Sequence, residues 1–163
     1  PGLKKYLNLP NIYPMGRLDL DSEGLLLLSS NGGLKAQVTN PKYKMEKTYL
    51  VQVEGQITSS ATSDLSAGVL LKDGMTRLAK AKEIGEPKLW ERNPSIRTRK
   101  KLTTSWIELR IHEGKNRQIR RMTAYVGFPT LRLIRISIGP WKLNSIMPGE
   151  YRHEKVNLPQ TKK

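Results

Sequence analysis

Three long runs of β-forming residues constrain this chain more than anything else in it. They are Lys47–Glu54, Thr103–Ile111 and Leu131–Ile138. Their β-branched and aromatic content predicts strands. Leu131 and Leu133, with Ser137, face one way along the third run, while Arg132, Ile134, Ile136 and Ile138 face the other. Two shorter strands are expected at Leu25–Leu28, an apolar run suited to burial, and at Ala79–Ile84. Helices are expected over residues 1–10, stopped by Pro10, over Leu34–Thr39 after an Asn31-Gly32-Gly33 turn, and over Thr58–Ala67. Another is expected over Lys115–Val126, where Ile119, Met122 and Val126 share one face and Gly127 suits the position just past the end. Lys72-Asp73-Gly74 reads as a turn, and Trp141–Leu143 is placed to pair back after Gly139-Pro140. Strands outnumber helices and are not spaced as strand-helix-strand crossovers. The expected class is therefore α+β: a mixed, mostly antiparallel sheet flanked by helices.

The 163 residues show no internal repeat and no linker. One domain is expected over residues 1–153, followed by a disordered basic tail over 154–163. With 37% hydrophobic residues a core can form, and no apolar run approaches a membrane span. Cysteine is absent and there are two histidines, His112 and His153, which excludes zinc-thiolate sites and leaves little for a His-based triad. Catalysis, if present, must then rest on Asp, Glu, Lys, Arg or Tyr.

The net charge of +15 points to a polyanion. The charge clusters: Arg97 to Arg135 holds eleven Lys and Arg against Glu108 and Glu113, a net of +9. Nucleic acid is the partner this implies, rather than a membrane surface, which would call for a long amphipathic helix. The irregular stretch 85–101, carrying Arg97, Arg99, Lys100 and Lys101, reads either as a phosphate-touching loop or as a solvated hairpin.

Three segments could carry chemistry. Asp19, Asp21 and Glu23 precede Gly24 at alternate positions, as in a calcium loop, but Ser30 stands where that loop needs a glutamate. Loop capping suffices for Asp21 and Glu23. Asp19 has Arg17 two residues before it and basic partners later in the chain. A carboxylate kept ionised among cations suits nucleophilic or electrostatic work, though an ordinary ion pair would have the same look. Arg117, Arg120 and Arg121 share a face at the start of a helix, as a phosphate clamp would, and one of them could turn inward to a buried acid. Tyr49 is either core or a stacking platform for an unstacked base.

Gly16-Arg17-Leu18-Asp19 with Gly24-Leu25-Leu26, then Glu46-Lys47-Thr48-Tyr49, then Glu113 through Met122 (Glu-Gly-Lys-Asn-Arg-Gln-Ile-Arg-Arg-Met) together resemble the pseudouridine synthases that modify uridines in ribosomal RNA. Trp90-Glu91-Arg92-Asn93-Pro94 and Thr104-Ser105-Trp106 are similar to the large-subunit branch that lacks an N-terminal RNA-binding module. The likeness runs from about Ile12 to Tyr151. It implies the synthase catalytic core with a central basic cleft, and isomerisation of a specific uridine in 23S rRNA without metal or cofactor. It further implies catalytic roles for Asp19, Tyr49 and Arg120. Asp19 would act at the target ribose. Tyr49 would stack on the uracil and assist the late proton step. Arg120 would pair with Asp19. Substrate binding would fall to Arg17, which would help flip the nucleotide or hold its backbone, and to Ile119 against the base, while the helical spacing of Arg117 and Arg121 adds them as phosphate contacts. The family core begins with a strand ahead of the catalytic loop that this sequence does not include. A monomer in the bacterial cytoplasm is expected, with an organelle as an open alternative. The competing reading is a non-catalytic RNA-binding or ribosome-assembly protein on the same scaffold. A carboxylate-based hydrolase would want a second positioned acid.

Overall fold

The computed structural model describes residues 11–40, 45–92 and 102–156. The expected helix over residues 1–10, the basic residues Arg97, Arg99, Lys100 and Lys101, and the last seven residues of the expected tail lie outside the described residues. In chain order the elements are β1 (Tyr13–Pro14), β2 (Glu23–Gly24), β3 (Leu28–Ser29), α1 (Gly32–Thr39), β4 (Lys47–Glu54), α2 (Ser59–Ala67), β5 (Leu70–Leu71), β6 (Gly74–Met75), β7 (Lys80–Ile84), β8 (Thr104–Ile111), α3 (Gln118–Tyr125), β9 (Thr130–Ile138) and β10 (Trp141–Lys142).

The three long runs become the centre of one sheet. Its order is β10-β9-β4-β8-β7, with β2 also paired to β9. β4 pairs antiparallel with β8 over its whole length, from Lys47 opposite Ile111 to Glu54 opposite Thr104. On its other side it pairs antiparallel with β9, with register shifts at Thr48/Tyr49 and Gln52/Val53. Among the described residues the one parallel pair is β2 with β9, so the sheet is mixed and mostly antiparallel, as expected.

Alternation then divides the core. Val51, Val53, Ile107, Leu109 and Leu133 cluster with Leu65 of α2 and with Ile119 and Met122 of α3. Trp106 and Ile134, which alternate with Ile107 and Leu133, join a second cluster with Leu25, Leu34, Val38 and Trp141. β10 pairs with Ile138 and Ser137, as the Gly139-Pro140 turn suggested.

Three expectations need correction. Leu25–Leu28 is not one strand. Gly24 ends the β2 pairing, Leu28 begins β3, and Leu25 to Leu27 lie between without ladder partners of their own. Leu25 alone of the four is buried, so the run plugs the core at one point rather than lining it. Asn31-Gly32-Gly33 is the start of α1, not a turn ahead of it: Asn31 Oδ1 accepts from the backbone N–H groups of Gly33 and Leu34 at 3.0 and 3.2 Å. The turn at Lys72-Asp73 is present as expected, and it joins a small hairpin, β5 with β6, too short to leave a periodic signal. α3 begins at Gln118, not Lys115, because Arg117 sits in the left-handed region at φ 50° and breaks the helical path. Its far end agrees with expectation, with Gly127 at φ +90°.

α2 is short and carries few apolar residues, so its cap matters. Thr58 Oγ1 accepts from the Ala61 N–H at 3.1 Å. Thr58→Ala is expected to cost about 1 kcal/mol. In a thermal melt that appears as a fall of about 2–4 °C for a chain of this size.

Candidate functional site

The loop between β1 and β2 is held by its ends. At Gly24, φ is +109° and a Cβ would lie 2.2 Å from the Arg135 carbonyl oxygen, so only glycine lets the loop dock onto β9 this closely. One residue earlier, Glu23 receives Arg132 through Nε at 2.7 Å and Nη2 at 2.9 Å, and the Trp90 indole N–H at 2.8 Å. The Arg132 guanidinium also lies over the Trp90 ring, 5.6 Å from its centroid. Within the loop, the Ser22 N–H donates to the Asp19 carbonyl at 2.9 Å, closing a turn with Leu20 at its exposed tip.

That turn sets Asp19 in the wall of a cleft of about 260 Å³. Arg17 and Leu18 come from the same loop, Lys47 and Tyr49 from β4, and Leu133 and Arg135 from β9. Arg117 and Ile119 come from the start of α3 and the residue before it. Tyr49 and Ile119 are buried in the floor, and Arg17 is exposed at the rim. A larger hollow of about 660 Å³ opens around Leu50, Trp90 and Leu143. Leu50 alternates with Tyr49, so this hollow lies on the other face of the sheet, away from Asp19.

The cations around the loop are not distributed as the sequence suggests. Arg117 Nη1 lies 3.6 Å from Asp19 Oδ2. Its fork is nevertheless closed on Asp21, at 3.0 and 2.8 Å. Arg120, expected on Asp19, instead donates from Nη2 to the Asp21 carbonyl at 2.7 Å, with the Asp21 carboxylate 3.5 Å away. It grips the loop from behind and does not line the cleft. Arg121 lies elsewhere again, paired with Asp73 at 2.8 and 3.1 Å in the β5–β6 turn, and the cleft does not include it. The three arginines are thus not one clamp, since the left-handed Arg117 leaves the helical face that would have aligned them.

Asp21 and Glu23 are likewise not loop caps; each is the anchor of a cationic partner. The Arg117 hydrogen bond holds the Asp21 carboxyl below its ordinary range, against the opposing effect of its burial. Its folded pKa is depressed, so this stabilisation is present above the usual carboxylate range and is lost as pH falls through the lowered value. Burial pushes the Arg120 guanidinium down, which the Asp21 charge partly offsets.

Two cleft residues escaped the sequence reading. Lys47 stands two residues before Tyr49, and that spacing alone puts both on one strand face. Arg135 pairs in register with Tyr49. A charged residue between Ile134 and Ile136 was the available signal for it.

A carboxylate, a buried tyrosine and several cations thus line one opening on a mixed sheet in a +15 chain, an arrangement suited to a polyanion such as RNA. The family model for RNA pseudouridylate synthase matches residues 3–125, and the chain belongs to this family. It is 52% identical over 144 residues to the ribosomal large subunit pseudouridine synthase E of Xanthomonas campestris, covering 88% of this chain and 77% of that protein. It is 48% identical over 157 residues to the Vibrio vulnificus protein of the same name, covering 96% of this chain and 66% of that one. A crystal structure of a pseudouridylate synthase superposes with a TM-score of 0.77 at 30% identity, covering 93% of this chain and 61% of that one. The chain thus spans about two thirds of the length of several of the proteins it matches.

Proposed function

We propose that the chain converts a specific uridine of large-subunit ribosomal RNA to pseudouridine. The observation that carries this reading is the convergence of Asp19, Tyr49 and Ile119 on one cleft, with Arg117 against Asp19, in a member of this family. The reaction breaks the N1–C1′ bond, turns the uracil and rejoins it through C5. It needs a carboxylate at the ribose and a surface for the displaced base. Asp19 serves the ribose and Tyr49 carries the base, with Ile119 packed beside it.

Arg17, exposed at the mouth, handles the backbone of the flipped nucleotide, and Arg117 stands beside the Asp19 carboxylate, 3.6 Å away. Arg120 contributes indirectly, by holding the Asp21 carbonyl and with it the loop. The naming of the Xanthomonas and Vibrio relatives supports the large-subunit substrate, and their bacterial origin supports a cytoplasmic setting. A monomer is the proposed state.

The test is incubation with large-subunit rRNA transcribed without modification, followed by mapping of pseudouridine by reverse-transcription stops after chemical derivatisation. A single new site is expected. RNA binding with no pseudouridine at any position would leave only a binding protein on this scaffold.

A further inference from the structure

The floor of the cleft holds two cations that the roles above leave unused. Lys47 and Tyr49 are neighbours on one face of β4, and Arg135 stands across from Tyr49 on β9. Arg135 is only 6% exposed. Its Nε donates to the Leu25 carbonyl at 2.9 Å and its Nη1 to the Arg17 carbonyl at 3.3 Å, while Nη2 has no partner among the described residues. Lys47 is tucked under the backbone of the Gly114 turn, where a Cβ on Gly114 would lie 2.9 Å from Nζ. No carboxylate among the described residues pairs with Lys47 Nζ or with Arg135. Burial, reinforced by the Arg135 charge, pushes the Lys47 ammonium below its ordinary range.

A buried guanidinium and a half-buried ammonium with no anion between them are expensive to keep. Such an arrangement is stable in use only if an anion arrives from outside. RNA brings two kinds. Its phosphates run along the outside of a flipped nucleotide and meet the rim, where Arg17 and Lys115 stand. Past Asp19, what reaches the floor at Tyr49 is the ribose and the base. Uracil enters neutral and becomes an anion only when its bond to the ribose breaks.

We infer that Lys47 and Arg135 form a catalytic anion site for the detached uracil. This rests on the isomerase reading above and adds two residues to it. When N1–C1′ breaks, the bonding pair leaves with the base, and the charge spreads over N1 and the carbonyl oxygens. The deficit at C1′ is met by the Asp19 carboxylate or by loss of the C2′ proton. The base then turns, and C5 bonds to C1′ as the Asp19 carboxylate leaves C1′ or as the proton returns to C2′; the C5 proton then departs and N1 gains one. Nothing is oxidised and no co-reactant enters. The two cations face a charge that exists only between bond breaking and bond making. They therefore act on the barrier rather than on substrate binding. They also hold the free base in the cleft while it turns.

The test uses single-turnover rates and RNA affinity on unmodified large-subunit rRNA, with a thermal melt of each variant. Lys47→Met is expected to slow the chemical step by about 10²- to 10³-fold, the range for removing one donor to a developing anion. Affinity for RNA should stay within about threefold, because the charge it meets is absent from the ground state. Lys47→Arg, which keeps the charge, should restore much of the rate. Gly114→Ala crowds the ammonium without touching its charge and should slow the step with affinity unchanged. It carries the test should Lys47→Met melt below the assay temperature. Affinity falling in step with the rate would make Lys47 a phosphate contact and overturn the inference, as would unchanged rates in both variants. Wild-type protein that binds rRNA but forms no pseudouridine is a different result, and it removes the isomerase reading itself.

Discussion

Asp19→Asn should abolish pseudouridine formation, with a rate loss of at least about 10⁴-fold, while the protein stays folded and bound to RNA. The size follows from the role, since removing the group that reacts with substrate removes the pathway and leaves only binding and electrostatics. The fold should not notice. Asn has the same shape, and the turn is closed through the Asp19 backbone carbonyl, which the substitution leaves alone. The Arg117 fork is already engaged by Asp21, so the 3.6 Å contact to Asp19 is a partly exposed ion pair of small worth. RNA affinity should hold or improve slightly, because a negative charge leaves a basic cleft. Asp21→Asn is the control that identifies the reactive carboxylate. It strips Arg117 of its bidentate partner and frees it to swing onto Asp19, so the loss should be modest, about tenfold, with a weaker grip on the loop. If Asp21→Asn were dead and Asp19→Asn active, the reactive carboxylate would be Asp21.

Such a control is needed because of what the sequence shows and what it hides. Gly16-Arg17-Leu18-Asp19 and the strand carrying Tyr49 were legible because strand periodicity and an ordered set of motifs both survive in one dimension. The antiparallel centre was legible for the same reason, through three long β-forming runs. Which arginine meets which acid was not. Arg117, Arg120 and Arg121 look equivalent at helical spacing until the left-handed backbone at Arg117 sends them to different partners. No composition signals a single φ of 50° at an arginine. Leu25–Leu28 misled in the opposite direction. Four leucines suggest a buried strand, yet the chain uses them to cross from a parallel contact with β9 to a short ribbon with β1. Glu23 reads as a loop cap in the sequence because its partners, Arg132 and Trp90, are 109 and 67 residues away.

Glu23 is where the largest loss of stability is expected. The Arg132 side chain is 9% exposed and that of Glu23 is 19% exposed, so the pair is largely out of water. Glu23 accepts three hydrogen bonds, two from Arg132 and one from the Trp90 indole, and Arg132 closes the ring by donating to the Trp90 carbonyl at 2.8 Å. Glu23→Ala strands a buried guanidinium and an indole N–H together. The cost of breaking such a pair from one side is about 3–5 kcal/mol, which lowers the melting temperature by roughly 6–20 °C in a chain of this size. The lost anchor lies four residues from Asp19 and next to the Gly24 contact with β9, so turnover should fall even at temperatures where the variant stays folded. Glu23→Leu combined with Arg132→Met separates the two effects. Removing both charges abolishes the unpaired ion, so this double variant should recover most of the stability lost in Glu23→Ala. It should not recover the loop geometry, because the carboxylate that joins β2 to Arg132 and Trp90 is gone. Recovered melting with impaired turnover is the expected result. Full activity in the double variant would mean that Gly24 and its docking onto β9 suffice to place Asp19.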